Sequence, residues 1–321
     1  MGGTQFERRW DIKDSMEEID TMVIGYPYET PFETNHHFFK QIIDFLADNG
    51  LNAFCLSEEI AADIRMAKKK SQIESGRVYA PRVSPGDADL ISSLRDIGST
   101  NKPVFAVVGT NVRQGKFTLQ LRIKQALERE GYKIGWLSTE PQGELFGANF
   151  SFPYGFDGSA NLEMDRWPET ISCAIKGIDL AVNPDIIIAG HQSGLLPYIQ
   201  TNFLRNKLNH LMFLAGVQPD AVACVVSPED DLNAVRDVIG VARHLFRIPT
   251  LFLALASHRR TATRLRNGSS YIRVDRLSQE NWENCASRLE RELGLPVINA
   301  QAENSAPTII TCIETFFAKK D

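Results

Sequence analysis

Gly115 and Lys116 stand between an uninterrupted apolar run, VFAVVG (104–109), and a long helical pattern, FTLQLRIKQALERE (117–130). A glycine-bearing turn that feeds a helix N-terminus gathers several backbone N–H groups at one point, and the helix dipole adds partial positive charge there. Lys116 supplies a mobile cation for a phosphate oxygen, and Gly115 lets the backbone approach it closely. The residues expected to hold a phosphate-bearing cofactor are Gly109, Thr110, Asn111, Arg113, Gln114, Gly115, Lys116, Phe117 and Thr118. Within them, Arg113 has the geometry to clamp a phosphate or a carboxylate through two donors, or else faces solvent. The spacing departs from the usual G-x-x-x-x-G-K-[ST]. Thr110 takes the place of the first glycine, with Gly109 one step earlier, and Phe117 takes the place of the Mg²⁺-binding hydroxyl. Thr118 follows one residue late, which turns it roughly 100° round the helix and makes it a poor metal ligand.

Other chemistry-bearing side chains fall at the ends of later apolar runs. Glu140 follows KIGWLST and suits either a general base or, with Thr118, a Mg²⁺ ligand; the alternative is a loop carboxylate. Gln142 and Gly143, next along, offer an amide and backbone N–H groups to a carboxylate substrate. His191 follows DIIIAG and titrates in the range suited to acid–base work, with a structural histidine as the alternative. Gln192 and Ser193 lie beside it as substrate-binding residues. GHQSG misplaces its serine for a nucleophile elbow, which excludes that hydrolase reading. Glu229, Asp230 and Asp231 end the run AVACVV, and a helix cap and first turn alone would explain them. Arg259 and Arg260 follow TLFLAL, to contact a base or phosphate or to solvate a loop.

These residues need a scaffold that brings strand ends together. Runs VFAVVG, KIGWLS, DIIIAG, AVACVV, TLFLAL and YIRV alternate with the helical patterns FTLQLRIKQALERE, GLLPYIQTNFLRNKLNHLMFLAG and DLNAVRDVIGVARHLF, and ENWENCASRLERELG adds an amphipathic helix. Short apolar strands alternating with helices predict an α/β domain with a mainly parallel sheet covered on both faces. Before it, TMVIGYPYETP, HHFFKQIIDFLADNG and LNAFCL read as a β-α-β opening of Rossmann-like type. The expected organisation is a loose arm over 1–20, a Rossmann-like N-terminal domain over 21–100 joined through 98–103, and a P-loop NTPase-like domain over 101–321.

A net charge of −5 over 321 residues gives no general basic face for nucleic acid. The one dense basic run, RMAKKK (65–70), is expected to be a solvated helix face. No segment has the apolar length to span a bilayer or the pattern of a signal peptide. The five cysteines show no CxxC pair, so neither a disulfide framework nor a zinc site is expected. The expectation is a cytoplasmic homo-oligomer acting on a small molecule, without nucleic-acid or membrane partners.

GTNVRQGKFT resembles the loop of dethiobiotin-synthetase-type P-loop proteins and, more closely, that of the D-glutamate N-acetyltransferase family, whose loop reads Gly-Thr, four variable residues, Gly-Lys, an apolar residue, then Thr. STEPQGELFG, AGHQSGLLP and AGVQPDAVACVVSPEDD are similar to three further family segments, over roughly 103–255. The chain departs from the family where the acidic residue of its Glu-Gly-Gln turn falls on Ala189. The resemblance implies a Rossmann-like domain followed by a P-loop domain, and amide-forming acyl transfer from coenzyme A to an amino-acid-like substrate. An ATP- and Mg²⁺-dependent ligase or kinase, as in dethiobiotin synthesis, is the second expectation, and a nucleotide-gated switch the third.

Overall fold

Apolar runs of five or six residues have no polar face to give to solvent, so they pair stably only where both sides are covered. The computed structural model describes residues 19–25, 32–154, 158–192, 194, 203–264, 270–299 and 301–318. The expected loose arm lies almost wholly outside the described residues. The chain divides into two compact units, Met1–Pro81 and Arg82–Asp321.

In the first unit, β1 (Thr21–Ile24) pairs in parallel with β2 (Asn52–Cys55), and β2 with β3 (Val78–Tyr79). The helices α1 (Phe32–Asp48) and α2 (Glu58–Lys70) make the crossovers, and Ile24, Leu46, Cys55 and Ile64 are buried together between helices and strands. This is the Rossmann-like opening read from the sequence. The basic run on α2 is not wholly solvated, however. Lys68 is buried, and its ammonium donates to the carbonyls of Leu51, Ser75 and Gly76 at 2.7, 2.9 and 3.0 Å. Three orphan carbonyls converge on one point, and a cation satisfies them better than solvent would.

The second unit opens with α3 (Pro85–Ser92), started by a capping box between Ser84 and Asp87. The division falls after Pro81 rather than at 98–103. Ala88 of α3 is buried in the second core, Asp89 pairs with Arg166 at 2.6 Å, and Val83 bridges to Ala160. There follow β4 (Val104–Gly109), α4 (Lys116–Arg129), β5 (Ile134–Ser138), β6 (Phe150–Ser151), α5 (Trp167–Val182), β7 (Ile186–Gly190), α6 (Phe203–Val217), β8 (Ala221–Val226), α7 (Leu232–Gly240), β9 (Thr250–Leu255), β10 (His258–Arg264), β11 (Ser270–Arg276), α8 (Gln279–Leu293), β12 (Val297–Ile298) and α9 (Ala306–Phe317).

Seven of these strands form one sheet in the order β12-β9-β8-β4-β7-β5-β6, with every neighbouring pair parallel. The strands β4, β5, β7 and β8 are buried at every position, as their sequences require. Leu119, Ile123, Ile309 and Ile313 of α4 and α9 cover one face. Ile171, Phe213, Val235 and Leu289 of α5, α6, α7 and α8 cover the other. The segment YIRV does not join this sheet; it lies in β11, which pairs antiparallel with β10 as a separate ribbon. The chain runs from β4 out to β5, returns to β7, and crosses to β8 on the far side. The direction of winding therefore reverses at the carboxyl end of β4, the place where open α/β sheets bind ligands.

Candidate phosphate-binding site

The loop from Thr110 to Gly115 lies at that switch point, between the end of β4 and the first turn of α4. Its sharp path uses positive φ at Arg113 (54°) and at Gly115 (96°), the latter where glycine carries no Cβ penalty. Gln114 is buried and folds back beneath the loop. Its Oε1 accepts from the Asn111 N–H at 2.8 Å, while Nε2 reaches Thr110 Oγ1 at 2.6 Å and Ser227 Oγ at 2.8 Å. The Thr110 hydroxyl donates to the Asp230 carboxylate, which also accepts from the Ser227 N–H at 2.7 Å. Thr110, Gln114 and Asp230 thus brace the loop from behind. Asp231, by contrast, is the cap of α7, accepting from Asn233 and Ala234. Arg113 is exposed on the loop's outer side.

Lys116 begins α4 and is only 6% exposed. Its ammonium donates to the Asn111 carbonyl at 2.5 Å, inside the loop. Burial, helped by the charge of Arg260, pushes it down to about 8, and the Glu140 carboxylate pulls the other way. Phe117 packs against Trp136 and Phe146 with ring centres 5.8 and 5.7 Å apart. The position where a hydroxyl would meet a metal is therefore an aromatic contact, and Thr118 follows it on α4.

Glu140 ends the loop after β5 and is held between two amides. Gln192 Nε2 donates to its Oε2 at 3.3 Å, and the Gln142 side chain also donates to it. Burial raises the Glu140 carboxyl above its ordinary range, while Lys116 and Gln142 oppose the rise. A carboxylate only accepts, so each glutamine must turn its NH₂ toward it and its carbonyl oxygen away. Those two oxygens, Gln142 Oε1 and Gln192 Oε1, are buried and meet no donor among the described residues. The Gln192 backbone is clamped by Tyr154, whose hydroxyl donates to its carbonyl at 3.0 Å and accepts from its N–H at 3.2 Å. Gly143 is buried and donates its N–H to the Glu140 carbonyl at 2.9 Å, which closes the turn.

His191 is 1% exposed, its backbone N–H bonded to Val107 at 2.9 Å and its ring 4.5 Å from that of His210 and 4.9 Å from Phe213. Burial, with the Lys116 charge adding, drives His210 down to about 3. Ser193 lies outside the described residues. The structure thus brings Lys116, Glu140, Gln142 and Gln192 together, with His191 buried beside Gln192. Tyr154, His210 and Ser227 were not singled out from the sequence, and Asp230, read there as a strand-end acid or part of a helix cap and first turn, braces the loop instead. Tyr154 lies in FPYGFDG, past the end of the short edge strand β6, with no motif around it; only its burial marks it.

The donor set suits an anion better than a tightly held Mg²⁺. The lysine is followed by a packed phenylalanine, β7 ends in Ala189 and Gly190, and Asp230 is already engaged. Among the described residues no three His, Cys, Asp or Glu side chains gather as a metal site. Nor is any described helix long and apolar enough to cross a membrane.

A pH dependence follows from Lys116. Above pH about 8 the ligand-free lysine is mostly neutral, and a bound phosphate favours the ammonium. Phosphate binding at pH 9 is expected to take up a proton, and affinity to fall up to about tenfold per unit as pH rises past 8. Calorimetry in buffers of different ionisation enthalpy measures the uptake; binding heats independent of buffer would remove Lys116 from the site.

Residues 89–309 match the family model described as a domain of unknown function (DUF1611_C) P-loop domain. No curated protein matches the chain. Among solved structures, a DUF1611 family protein from Anabaena variabilis ATCC 29413 is similar with a TM-score of 0.58 at 14% identity, over 94% of this chain and 80% of that one. A LAO/AO transport system kinase gives a TM-score of 0.40 at 11% identity, over 90% of this chain and 77% of that one. Cobyrinic acid a,c-diamide synthase from Mycobacterium smegmatis, with bound ATP analogue and magnesium, gives 0.42 at 12% identity, over 68% and 96%. Likenesses this distant speak to fold alone, and only the first is close enough to support even that. With a phosphate loop at the switch point of a parallel sheet, and a family match over more than two thirds of its length, the chain belongs to the DUF1611 P-loop family.

Proposed function

We propose that this protein transfers an acyl group from a phosphate-bearing carrier, a coenzyme A thioester, to the amino group of an amino-acid-like molecule. The observation that carries the reading is the pair of buried carbonyl oxygens, Gln142 Oε1 and Gln192 Oε1, on the two amides that hold Glu140, neither meeting a donor among the described residues. A buried carboxylate and two nearby amide oxygens still open to a donor fit a ligand that brings N–H groups, as an amine does. Lys116 and the loop amides fit the carrier's phosphates as an anchor, which asks for no metal ligand after the lysine.

The carrier, when bound, supplies an electrophilic thioester carbonyl. Glu140, a carboxylate shifted by burial toward neutrality, takes the proton from the attacking amine. A nitrogen–carbon bond forms as the carbon–sulfur bond breaks, and the sulfur leaves as the thiol after protonation. Gln142 and Gln192 orient the amine, and Tyr154 holds Gln192 in place. His191, enclosed by His210 and Phe213, packs behind this turn and stiffens it.

The test is thiol release from acetyl-coenzyme A against a panel of amino acids in the presence of EDTA. An amide product with stoichiometric thiol is expected. ADP release that needs ATP, Mg²⁺ and a carboxylate substrate would replace this reading with carboxylate activation. Hydrolysis that changes only with a protein partner would replace it with a switch.

A further inference from the structure

Arg260 belongs to the β10–β11 ribbon, yet it is only 8% exposed and its guanidinium is spent on the neighbourhood of the phosphate loop. One Nη donates to the carbonyl of Val112, within the loop. The other donates to Ser227 Oγ at 3.1 Å, the same hydroxyl that Gln114 reaches from below the loop. Its Nε and backbone N–H both donate to Glu229 at 3.2 and 3.3 Å. The Val112 carbonyl and the Arg113 N–H belong to one trans peptide plane and point in opposite directions. Holding the carbonyl toward Arg260 therefore fixes the N–H of Arg113 pointing away from it.

The ribbon needs such an anchor. Among the described residues its two strands pair with each other alone, and a lone two-stranded ribbon is marginal in water. We propose that Arg260 is a positioning residue that couples the ribbon His258–Arg276 to the phosphate loop, so that a bound pyrophosphate group and a docked ribbon stabilise one another. The inference rests on the loop binding phosphate, though not on which carrier brings it, since pyrophosphate is common to ATP and coenzyme A. Only a planar fork spans Val112, Ser227 and Glu229 at once, so lysine cannot replace it. Linkage makes the effect reciprocal: whatever loosens the ribbon weakens binding, and binding protects the ribbon.

The experiment uses the full chain and inorganic pyrophosphate at millimolar concentration, with hydrogen exchange read over 258–264 and 270–276. Pyrophosphate is expected to slow exchange of these amides at least threefold in the wild type. Arg260→Ala and Arg260→Lys are each expected to raise the pyrophosphate Kd at least tenfold and to abolish that protection. Arg259→Ala, at an exposed neighbouring position, is expected to keep both. Wild-type binding that leaves ribbon exchange unchanged overturns the coupling, and so does an Arg260→Ala variant of unaltered affinity. Should that variant fail to fold, the wild-type exchange arm decides alone. A wild type that binds no pyrophosphate, or a Lys116→Met variant that binds it equally well, overturns the phosphate reading itself.

Discussion

Glu140→Gln is expected to lower kcat for acyl transfer by about 10²–10⁴-fold, the range a positioned general base supplies. The substitution keeps the shape and leaves a polar group between Gln142 and Gln192, so loss of packing does not explain such a fall. KM for the thioester should change little, because the loop that holds the phosphates is braced from below by Gln114, Thr110 and Asp230 rather than by Glu140. The pH profile gives a second readout. Burial holds the Glu140 carboxyl above its ordinary range, so kcat/KM in the wild type should decline on the acid side at a pH above that of a solvated glutamate. That limb should vanish in the variant. Steady-state thiol release between pH 5 and 8 measures both effects, and a variant within a factor of three of wild type, with its acid limb intact, would remove Glu140 from the chemistry.

Lys116→Met should weaken binding of the carrier about a hundredfold or more. Truncating one partner of a buried, charge-assisted contact typically costs 2–5 kcal/mol, roughly 30- to 5,000-fold. The fold should survive. In the absence of ligand this ammonium is a buried cation that burial itself pushes toward neutrality, and its contact is a loop carbonyl rather than a carboxylate. Replacing it with an apolar chain of similar length removes a desolvated charge and leaves α4 and its core residues Leu119, Ile123 and Leu127 in place. Thermal unfolding should show a midpoint within a few degrees of wild type and no upward shift on adding coenzyme A. A large fall in the midpoint would mean that the lysine holds the loop together instead of holding a ligand.

Much of the P-loop unit was legible in its residues because each signal was local. The run VFAVVG leaves no polar face, so a buried parallel strand is its only stable home, and the glycine-lysine pair that follows marks a helix start. The segments KIGWLS, DIIIAG, AVACVV and TLFLAL obey the same rule and lie in the same sheet. Ribbon strand YIRV was harder to place. Its composition suits any strand, and the antiparallel pairing with HRRTATR depends on a partner with few apolar residues. Side-chain roles within the site were the least legible. Gln114 read as a ligand-facing loop residue, yet the turn at Arg113 sends it underneath, a consequence of backbone φ that composition does not announce. Lys68 read as part of a solvated basic face, whereas the carbonyls of Leu51, Ser75 and Gly76 converge on it. Arg260 and Tyr154 act across chain separations of 148 and 38 residues, to Val112 and Gln192, which no spacing rule reaches.

The most direct test is an isothermal titration of the full chain with coenzyme A at pH 7 in excess EDTA, repeated with Lys116→Met. Saturable binding that needs no divalent metal, and that disappears when the ammonium is replaced, is the predicted result. Absence of any binding by the wild type, or equal binding by the two proteins, would contradict the assignment of this loop as the place where the carrier's phosphates are held.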